Sequence, residues 1–596
     1  MTCARLALKA GVALLAIFAS VAMPGARASG EDIKTPGITF APADWPSALE
    51  ALRDKAAASP ATRDYFSFVP PRPMRTSFSR APDSRSFARR YPALVQLNAA
   101  TSQIFSGIAR APIPVLLPFD MAAFFADRQS SNPPLSAARY LSGFSRVLHF
   151  NAGPAGYTAI IQLDAGVAPD LPRRVYPKPI EIHITGSALT YDIADPAGGK
   201  GIKVKALESL YPDLRRFIRE GYVRYAFTRH NIPYVVSLDC LDSAPRTKRL
   251  ACREASPIAE KFLKALAITG GVPDAPRPPA RPEIIVRPQA ESSDFAYWQP
   301  GILIEGTGYR GHGGHADWTA YAQIRFPIKD APAYANSQSF LNWGDCYHKG
   351  RIPWPRTKGQ SYRCKINDKP LVFDESAGEN YAYPWRDNFC ETRDLEVWQC
   401  AGGYGHQGQD IRPSNCEMRN EGADRCKPGS HAIVAVRDGV ISRTPGQEAA
   451  FVVINEPGEH IRFRYMHMVP SQMDQDGVAH GRRVFEGEML GTVSNYQDYA
   501  GGTTNHLHFD MQVFTRDGWI WANPYVTLIA SYERLLGARG RQFAPLPPSQ
   551  PAATLAPDAP PHDATSNQDT SPPQDASLKS PAATHDSTAP TPATTR

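Results

Sequence analysis

The segment from His506 to Asp510 reads His-Leu-His-Phe-Asp, and it constrains the fold of this chain more than any other stretch. Side chains alternate between the two faces of a β-strand, so a strand here places His506, His508 and Asp510 on one face. The leucine and phenylalanine between them then share the opposite face, which suits a hydrophobic core. The pattern therefore predicts a strand with polar groups on one face and core residues on the other.

A second polar pattern lies about a hundred residues upstream, where His406 to Asp410 reads His-Gln-Gly-Gln-Asp. The spacing of His406 and Asp410 fits one face of a helix as well as one face of a strand. Neighbouring glycines favour the strand, because each interior glycine costs a helix about 1 kcal/mol. Gly408 between the two polar residues would allow a close approach to another strand.

Two imidazoles and one carboxylate from separate strands are the ligands of a zinc site with an open fourth position. A structural zinc site is the alternative, but it is normally closed by four protein ligands. Neither polar pattern contains a cysteine. The residue types therefore favour a zinc ion that can also hold a water molecule.

The length of 596 residues is too great for a single core, so two or three domains are expected. We predict a mainly antiparallel β domain around the polar patterns, preceded by an α+β or α/β domain. The predicted segments are a signal peptide (1–28), the N-terminal mixed α/β domain of unknown role (29–270), a Pro-rich linker (271–288), a disulfide-clipped Gly-, Trp- and Tyr-rich region (289–386), the β domain (387–540) and a disordered tail (541–596).

Local patterns predict individual elements within these domains. Thr158 to Leu163 is typical of a strand, and Tyr211 to Arg224 has helical spacing. An Asp-Gly turn predicts a hairpin over Ala432 to Ser442, and a Pro-Gly turn predicts a second hairpin over Phe451 to Tyr465.

The N-terminus has the features of a secretory signal. Arg5 and Lys9 precede an apolar run, and Ala26 to Ala28 is an A-x-A cleavage site. No later segment is long and apolar enough to cross a bilayer. The net charge of +7 is modest, and no run of lysine and arginine indicates nucleic-acid binding. The mature chain is expected to be exported, without a transmembrane segment and without a nucleic-acid partner.

Cysteine usage agrees with export. Eight cysteines remain after the predicted signal, an even number that argues for disulfides. Roughly 105 pairings are open to eight cysteines. Pairing of nearest neighbours is our hypothesis, and it gives Cys240–Cys252, Cys346–Cys364, Cys390–Cys400 and Cys416–Cys426.

Two groups of histidines are not expected to be ligands. Those scattered through the N-terminal domain are expected to be structural or exposed: His149, His183 and His230. Those in or beside predicted turns of the β domain are expected to be exposed at the surface: His431, His460 and His480.

Three blocks together resemble the signature of the lysostaphin/LytM-type zinc metallopeptidases, which have the duplicated hybrid motif fold. They are His406 to Asp410, Tyr465 to His467 and His506 to Phe509. Phe485 to Gly491 and Asn523 to Tyr525 are also similar to elements of that family. The resemblance covers about a quarter of the chain, roughly residues 387–528.

The resemblance implies a role for each matching residue. His406, Asp410 and His508 would be the ligands of one zinc ion per chain. His467 and His506 would be the catalytic histidines, as proton acceptor or as hydrogen-bond donor to a developing oxyanion. Neither the resemblance nor the residue types tell which histidine has which role. Asp510 would accept a hydrogen bond from a ligand histidine.

The implied activity is hydrolysis of peptide crosslinks in peptidoglycan, with stem peptides as partners. The periplasm is the expected compartment and the extracellular space is the alternative. Two other functions stay open. One is a catalytically silent activator of a cell-wall amidase, which should lack a ligand. The other is a secreted bacteriolysin or protease that cleaves glycine-rich peptides.

Overall fold

The computed structural model describes one part of the chain. The described residues are 35–68, 90–129, 137–164, 171, 179–193, 201–240, 252–273, 287–301, 319–320, 323–336, 365–366, 369–370, 381–391, 395–400, 405–413 and 427–543. They all belong to the first of two units, Met1–Pro545 and Leu546–Arg596. The predicted signal peptide, most of the linker, the predicted tail beyond Phe543 and the cysteine pairs 346–364 and 416–426 lie outside the described residues. The first three residues of the predicted tail belong to a strand that ends at Phe543.

Short helices accompany a larger number of strands. The helices are α1 (Trp45–Ala57), α2 (Pro60–Tyr65), α3 (Pro92–Thr101), α4 (Met121–Gln129), α5 (Cys252–Ala265), α6 (Pro470–Gln475) and α7 (Tyr525–Leu536). Among the described residues, none of the helices combines the length and apolar character that crossing a bilayer requires.

The strands fall into an N-terminal and a C-terminal set. The first set is β1 (Gly37–Phe40), β2 (Val115–Leu117), β3 (Arg146–Gly153), β4 (Gly156–Leu163), β5 (Ile180–Ser187), β6 (Leu189–Asp192), β7 (Ile202–Lys203), β8 (Arg215–Arg219), β9 (Tyr222–Arg229), β10 (Ile232–Asp239) and β11 (Ala267–Gly270). The second set is β12 (Glu291–Trp298), β13 (Ala333–Ala335), β14 (Lys365–Ile366), β15 (Lys369–Pro370), β16 (Gln409–Pro413), β17 (Ala432–Val434), β18 (Gly439–Ser442), β19 (Ala450–Glu456), β20 (Glu459–Met466), β21 (Arg483–Val484), β22 (Met489–Thr492), β23 (Tyr496–Gln497), β24 (Tyr499–Ala500), β25 (Leu507–Thr515), β26 (Gly518–Ala522) and β27 (Arg539–Phe543).

An antiparallel sheet of order β3-β4-β5-β10-β9-β8-β7 organises the N-terminal set, so this half is α+β. Successive side chains along its strands point to opposite faces of the sheet, and each face packs into a different hydrophobic core. Tyr225, Phe227 and Val236 face a core shared with the N-terminal helices. Ala226 and Val235 face the opposite way, into a core shared with the C-terminal strands. The sheet is therefore buried on both faces.

The helix predicted over Tyr211–Arg224 is wrong, because this segment forms β8 and the start of β9. The two strands are joined at Glu220 and Gly221, which both have positive φ, at 52° and 73°. Positive φ at both central residues is the conformation of a tight hairpin turn. The Glu-Gly turn therefore outweighs the helical spacing of the apolar residues.

A second antiparallel sheet, of order β13-β16-β25-β20-β19-β18-β21 with β26 on β25, organises the C-terminal set. This confirms the predicted antiparallel β character. The hairpin predicted at Phe451–Tyr465 forms as β19 and β20. The hairpin predicted over Ala432–Ser442 does not form, since β17 pairs with β22 and β18 pairs with β19. The Asp-Gly segment instead carries the chain from one sheet to another.

Polar contacts join the two sheets. Asn455 donates from Nδ2 to the Gly156 carbonyl at 2.9 Å and accepts from the Ala155 amide at 3.0 Å. The Trp519 indole donates to Thr185 Oγ1 at 3.2 Å. The disulfides Cys240–Cys252 and Cys390–Cys400 are both present, which confirms two of the four predicted pairs.

Two histidines expected to be exposed or structural are buried at this junction. His460 is 0 % exposed, so its predicted surface position is wrong, and His149 is 2 % exposed. Among the described residues neither ring nitrogen of His149 has a hydrogen-bond partner. Burial lowers the pKa of each of these histidines to about 3. Both therefore stay neutral in the folded protein at pH values where exposed histidines are charged.

Acid should consequently destabilise the protein. The unfolded chain takes up a proton at each histidine as pH falls below about 6.5, whereas the folded chain does so only near the lowered pKa. Stability is full above pH ~6.5 and decreases by about 1.4 kcal/mol per histidine for each pH unit below it. We expect His149→Leu to remove about 2 kcal/mol of the loss between pH ~8 and pH ~5. Urea midpoints at both pH values measure this, and an unchanged pH dependence in the variant would contradict it.

Candidate metal centre

Three side chains from distant parts of the sequence converge at β16 and β25. His406 Nε2 lies 3.0 Å from His508 Nδ1 and 3.2 Å from Asp410 Oδ1. His508 Nδ1 lies 3.0 Å from the same carboxylate oxygen. These residues form a group whose ligand atoms all lie within 4.8 Å of one another. All three side chains are buried.

The triangle of donor atoms fits a zinc ion. In tetrahedral coordination with bonds of about 2.0 Å, neighbouring ligand atoms lie about 3.3 Å apart. The three edges here are 3.0, 3.0 and 3.2 Å, close to one face of such a tetrahedron. Imidazole nitrogen and carboxylate oxygen are also the donor types that zinc accepts.

Hydrogen bonds set the tautomer of each imidazole in the triangle. His406 Nδ1 donates to the Asn388 carbonyl at 2.7 Å, which leaves the lone pair on Nε2 pointing at the site. His508 Nε2 donates to Asp510 Oδ2 at 3.2 Å, which leaves the lone pair on Nδ1. Arg464 holds that Asp510 oxygen from Nε at 2.5 Å. Such outer hydrogen bonds fix ring orientation and raise the basicity of a ligand histidine.

Strand pairing explains how the carboxylate and His508 meet. Asp410 on β16 lies directly opposite His508 on β25. Gly408 precedes β16 at a point where a Cβ would lie 2.4 Å from the Phe509 carbonyl oxygen. Only glycine permits this approach, as the sequence predicts. His406 lies before β16, where its amide and carbonyl bond to residues 391 and 390 in the loop closed by the Cys390–Cys400 disulfide.

The electrostatics of the triangle suit a cation. Burial alone would raise the pKa of Asp410, but His406 and His506 beside it bring that pKa well below its usual range. The carboxylate is therefore ionised at neutral pH. Burial opposes a charged imidazole at His508, yet hydrogen bonds with Asp410 and Asp510 raise its pKa. A metal ion would displace the proton that His508 shares with Asp410, and the ionised Asp410 would then attract the cation.

The two further histidines lie beside the triangle. His506 Nε2 is 3.5 Å from Asp410 Oδ1, and its ring centroid is 4.5 Å from that of His467. His506 Nδ1 donates to the Thr504 carbonyl at 2.7 Å, and His467 Nδ1 donates to the Tyr496 carbonyl at 3.0 Å. Both Nε2 atoms therefore carry the lone pair. Burial and the neighbouring His467 keep the pKa of His506 well below its usual value.

His467 is held in an uncommon backbone conformation, with φ at 67°. Positive φ is unfavourable for a residue with a Cβ and persists only where the surroundings fix it. Here Ser494 Oγ donates to the His467 carbonyl, and Glu448 Oε1 lies 3.6 Å from His467 Nδ1. The structure therefore places all five predicted residues within one site.

Several residues that support the site could not be identified from any sequence pattern. Asn388, Glu448 and Tyr496 act through a backbone carbonyl or a contact that no motif identifies. Arg464 could have been identified from the sequence. It lies two residues before Met466, so strand alternation places it on the polar face of β20.

Comparison with known proteins does not assign this chain to a family. No family model matches the chain, and no curated protein matches it. One solved structure that is similar to part of it is a candidate glycyl-glycine endopeptidase, LytM, from Ruminococcus gnavus ATCC 29149. The alignment has 22 % identity and a TM-score of 0.17, and it covers 22 % of this chain and 48 % of the other. The match thus spans less than half of that protein, and a TM-score this low carries no conclusion about this chain.

Proposed function

We propose that this protein is an exported zinc-dependent endopeptidase that hydrolyses peptide crosslinks of peptidoglycan. The observation that carries the proposal is the triangle of His406, Asp410 and His508, whose edges match one face of tetrahedral zinc coordination. Three protein ligands, rather than four, are typical of catalytic zinc sites. The substrate class comes from the sequence resemblance.

The metal supplies one element of the chemistry, because bound zinc lowers the pKa of a water molecule from 15.7 towards about 7. The side chains supply the rest. His406, Asp410 and His508 would hold the ion, and the hydrogen bonds that the two imidazoles donate to Asn388 and Asp510 would keep them in the required tautomer. A rigid, pre-oriented set of donors costs little reorganisation when the ion binds.

His467 and His506 would move protons beside the metal. Each imidazole has its Nδ1 proton committed to a backbone carbonyl, so Nε2 is the atom that can accept a proton from water. After protonation the same Nε2–H can be donated to the leaving amine or to the developing oxyanion. The short distance between the rings allows either histidine to take part.

Digestion of purified sacculi tests the proposal. Zinc-loaded protein should release crosslink-cleaved muropeptides, and a chelator should stop the release. His508→Ala should abolish both zinc binding and release. His431→Ala is the matched control, because His431 is a half-buried histidine outside the site and should retain full activity.

The other outcomes would either identify a different function or exclude the metal centre as the active site. Intact sacculi together with cleaved pentaglycine would identify a protease of glycine-rich peptides. Stimulation of a separate amidase by protein that cleaves nothing would identify a regulator. Full release of muropeptides by His508→Ala would exclude the metal centre as the active site.

We expect Asp510 to increase the affinity of the site for zinc, although Asp510 is not one of the ligands. Asp510→Asn keeps the shape of the side chain but weakens the hydrogen bond that orients His508. We expect zinc affinity to fall by about 10–100-fold, the usual effect of removing such a partner. Competition with a chelating dye measures the change. Asp517→Asn is the control, and equal affinities in the two variants would contradict the role of Asp510.

A further inference from the structure

A small cavity lies at the junction of the two sheets. Its lining comes from β4, β5, β9 and β10 on one side and from β20 and β26 on the other, and its volume is about 20 Å³. A cavity holds a water molecule when a water-sized sphere occupies about 10–15 Å³ of it. The space therefore accommodates about one water molecule or the end of a small polar group.

Two guanidinium groups line the cavity. Arg224 on β9 is 2 % exposed, and its Nη2 donates to Glu220 at 2.9 Å. Its Nη1 is buried and has no hydrogen-bond partner among the described residues. Leaving a buried charged donor unsatisfied costs about 1–3 kcal/mol or more. An unpaired donor in the wall of a cavity is thus an indication that something else occupies the space.

Arg462 on β20 lines the cavity from the other sheet. Its Nε donates to Gln512 Oε1 at 2.7 Å, so its one described hydrogen-bond acceptor is uncharged. Its guanidinium carbon lies 4.6 Å from the centre of the Trp519 ring and 4.5 Å from that of Phe451. The two aromatic rings fix the position of the guanidinium before any ligand binds.

The remaining lining residues are neutral donors, a histidine and an apolar side chain. Thr158, Ser237 and Tyr222 contribute hydroxyl groups. None of the described residues that line the cavity is an aspartate or a glutamate. Glu220 neutralises Arg224 in part from outside the lining, whereas the charge of Arg462 has no carboxylate bonded to it among the described contacts. The cavity therefore has a net positive wall.

We propose that this cavity binds a carboxylate group between Arg224 and Arg462. Guanidinium groups bind planar carboxylates through paired hydrogen bonds, and the small volume of the cavity favours a small planar group over a larger tetrahedral anion. Arg462 pairs with Gln512, four residues along β25 from His508, which is about 13 Å at the usual rise of a strand. The cavity shares no lining residue with the ligand triangle, although the charge of Asp510 acts on Arg462, and the proposal does not depend on the proposed function.

Binding of ¹³C-labelled formate to the full-length protein, followed by NMR line broadening, tests the proposal. We expect saturable binding that persists after zinc is removed by a chelator. Arg462→Gln should weaken it by about 10-fold or more, since a charge-assisted hydrogen bond is lost. Arg437→Gln is the matched control, because Arg437 is a partly exposed arginine of the same sheet region that does not line the cavity.

A second variant keeps the test valid if Arg462→Gln unfolds. Val235→Leu adds one methylene to the cavity wall, leaves both arginines in place and should abolish binding. N-acetylalanine distinguishes two sources of the carboxylate. Binding of both probes indicates the terminus of a larger ligand, and binding of formate alone indicates a small free anion. No saturable binding, tighter binding of inorganic phosphate, or equal binding by wild type and Val235→Leu would overturn the proposal.

Discussion

Replacing His506 by alanine is expected to lower the hydrolytic turnover of the zinc-loaded protein by about 10²–10⁴-fold, the usual contribution of a general acid or base. Zinc content should stay at one ion per chain, because His506 is not part of the ligand triangle. Its Nε2 lies 3.5 Å from Asp410 Oδ1, so a side chain that can accept a proton borders the ligand triangle. Turnover on sacculi and zinc content by mass spectrometry measure the two effects.

Comparison with His467→Ala separates the two histidines. If each single variant loses about as much turnover as the double variant does, the two histidines act as one unit. His431→Ala again controls for the loss of an imidazole elsewhere in the same sheet region. A loss of zinc from His506→Ala, or turnover within a few-fold of wild type, would contradict a role in proton transfer.

The grouping of His406, Asp410 and His508 could be predicted from the sequence because its parts are local patterns. The alternation in His506–Asp510 needs only the period of a strand, and Gly408 marks the close approach of a second strand. The orienting contacts could not be predicted. Asn388 uses its backbone carbonyl, and every residue has one, so no residue type identifies it. Glu448 and Tyr496 reach the site through tertiary packing alone.

The fold was harder to predict from the sequence where pairing between distant strands competes with a local turn signal. The Asp-Gly at 438–439 favours a two-residue hairpin, but Ile433 pairs with Gly491 on β22 and Ile441 pairs with Val452 on β19. Apolar side chains on both sides of the turn are buried in the same core, so either pairing satisfies the hydrophobic pattern. Likewise the burial of His460 depends on the N-terminal sheet that covers it, with Ser187 Oγ 2.8 Å from its Nδ1.

Removing the carboxylate of Glu220 is expected to destabilise the folded protein strongly. Glu220 is 0 % exposed and forms a 2.9 Å ion pair with the buried guanidinium of Arg224. Glu220→Ala leaves that cation buried and without its counter-charge. Breaking a buried pair in this way costs about 3–5 kcal/mol, because the remaining charge has lost both water and partner. Urea unfolding of wild type and variant measures the difference in free energy.

The chain contains a matched control for this prediction. Arg437 and Glu459 form an ion pair with the same 2.9 Å separation, but their side chains are 24 % and 20 % exposed. Glu459→Ala should cost only about 0–1 kcal/mol, since water solvates the arginine that remains. Equal losses in the two variants would mean that burial does not set the cost. Glu220 also accepts from the Trp398 amide at 3.5 Å, so its loss should loosen the loop closed by Cys390–Cys400 that carries His406. A fall in zinc affinity of Glu220→Ala, absent from Glu459→Ala, would therefore link the N-terminal sheet to the metal centre.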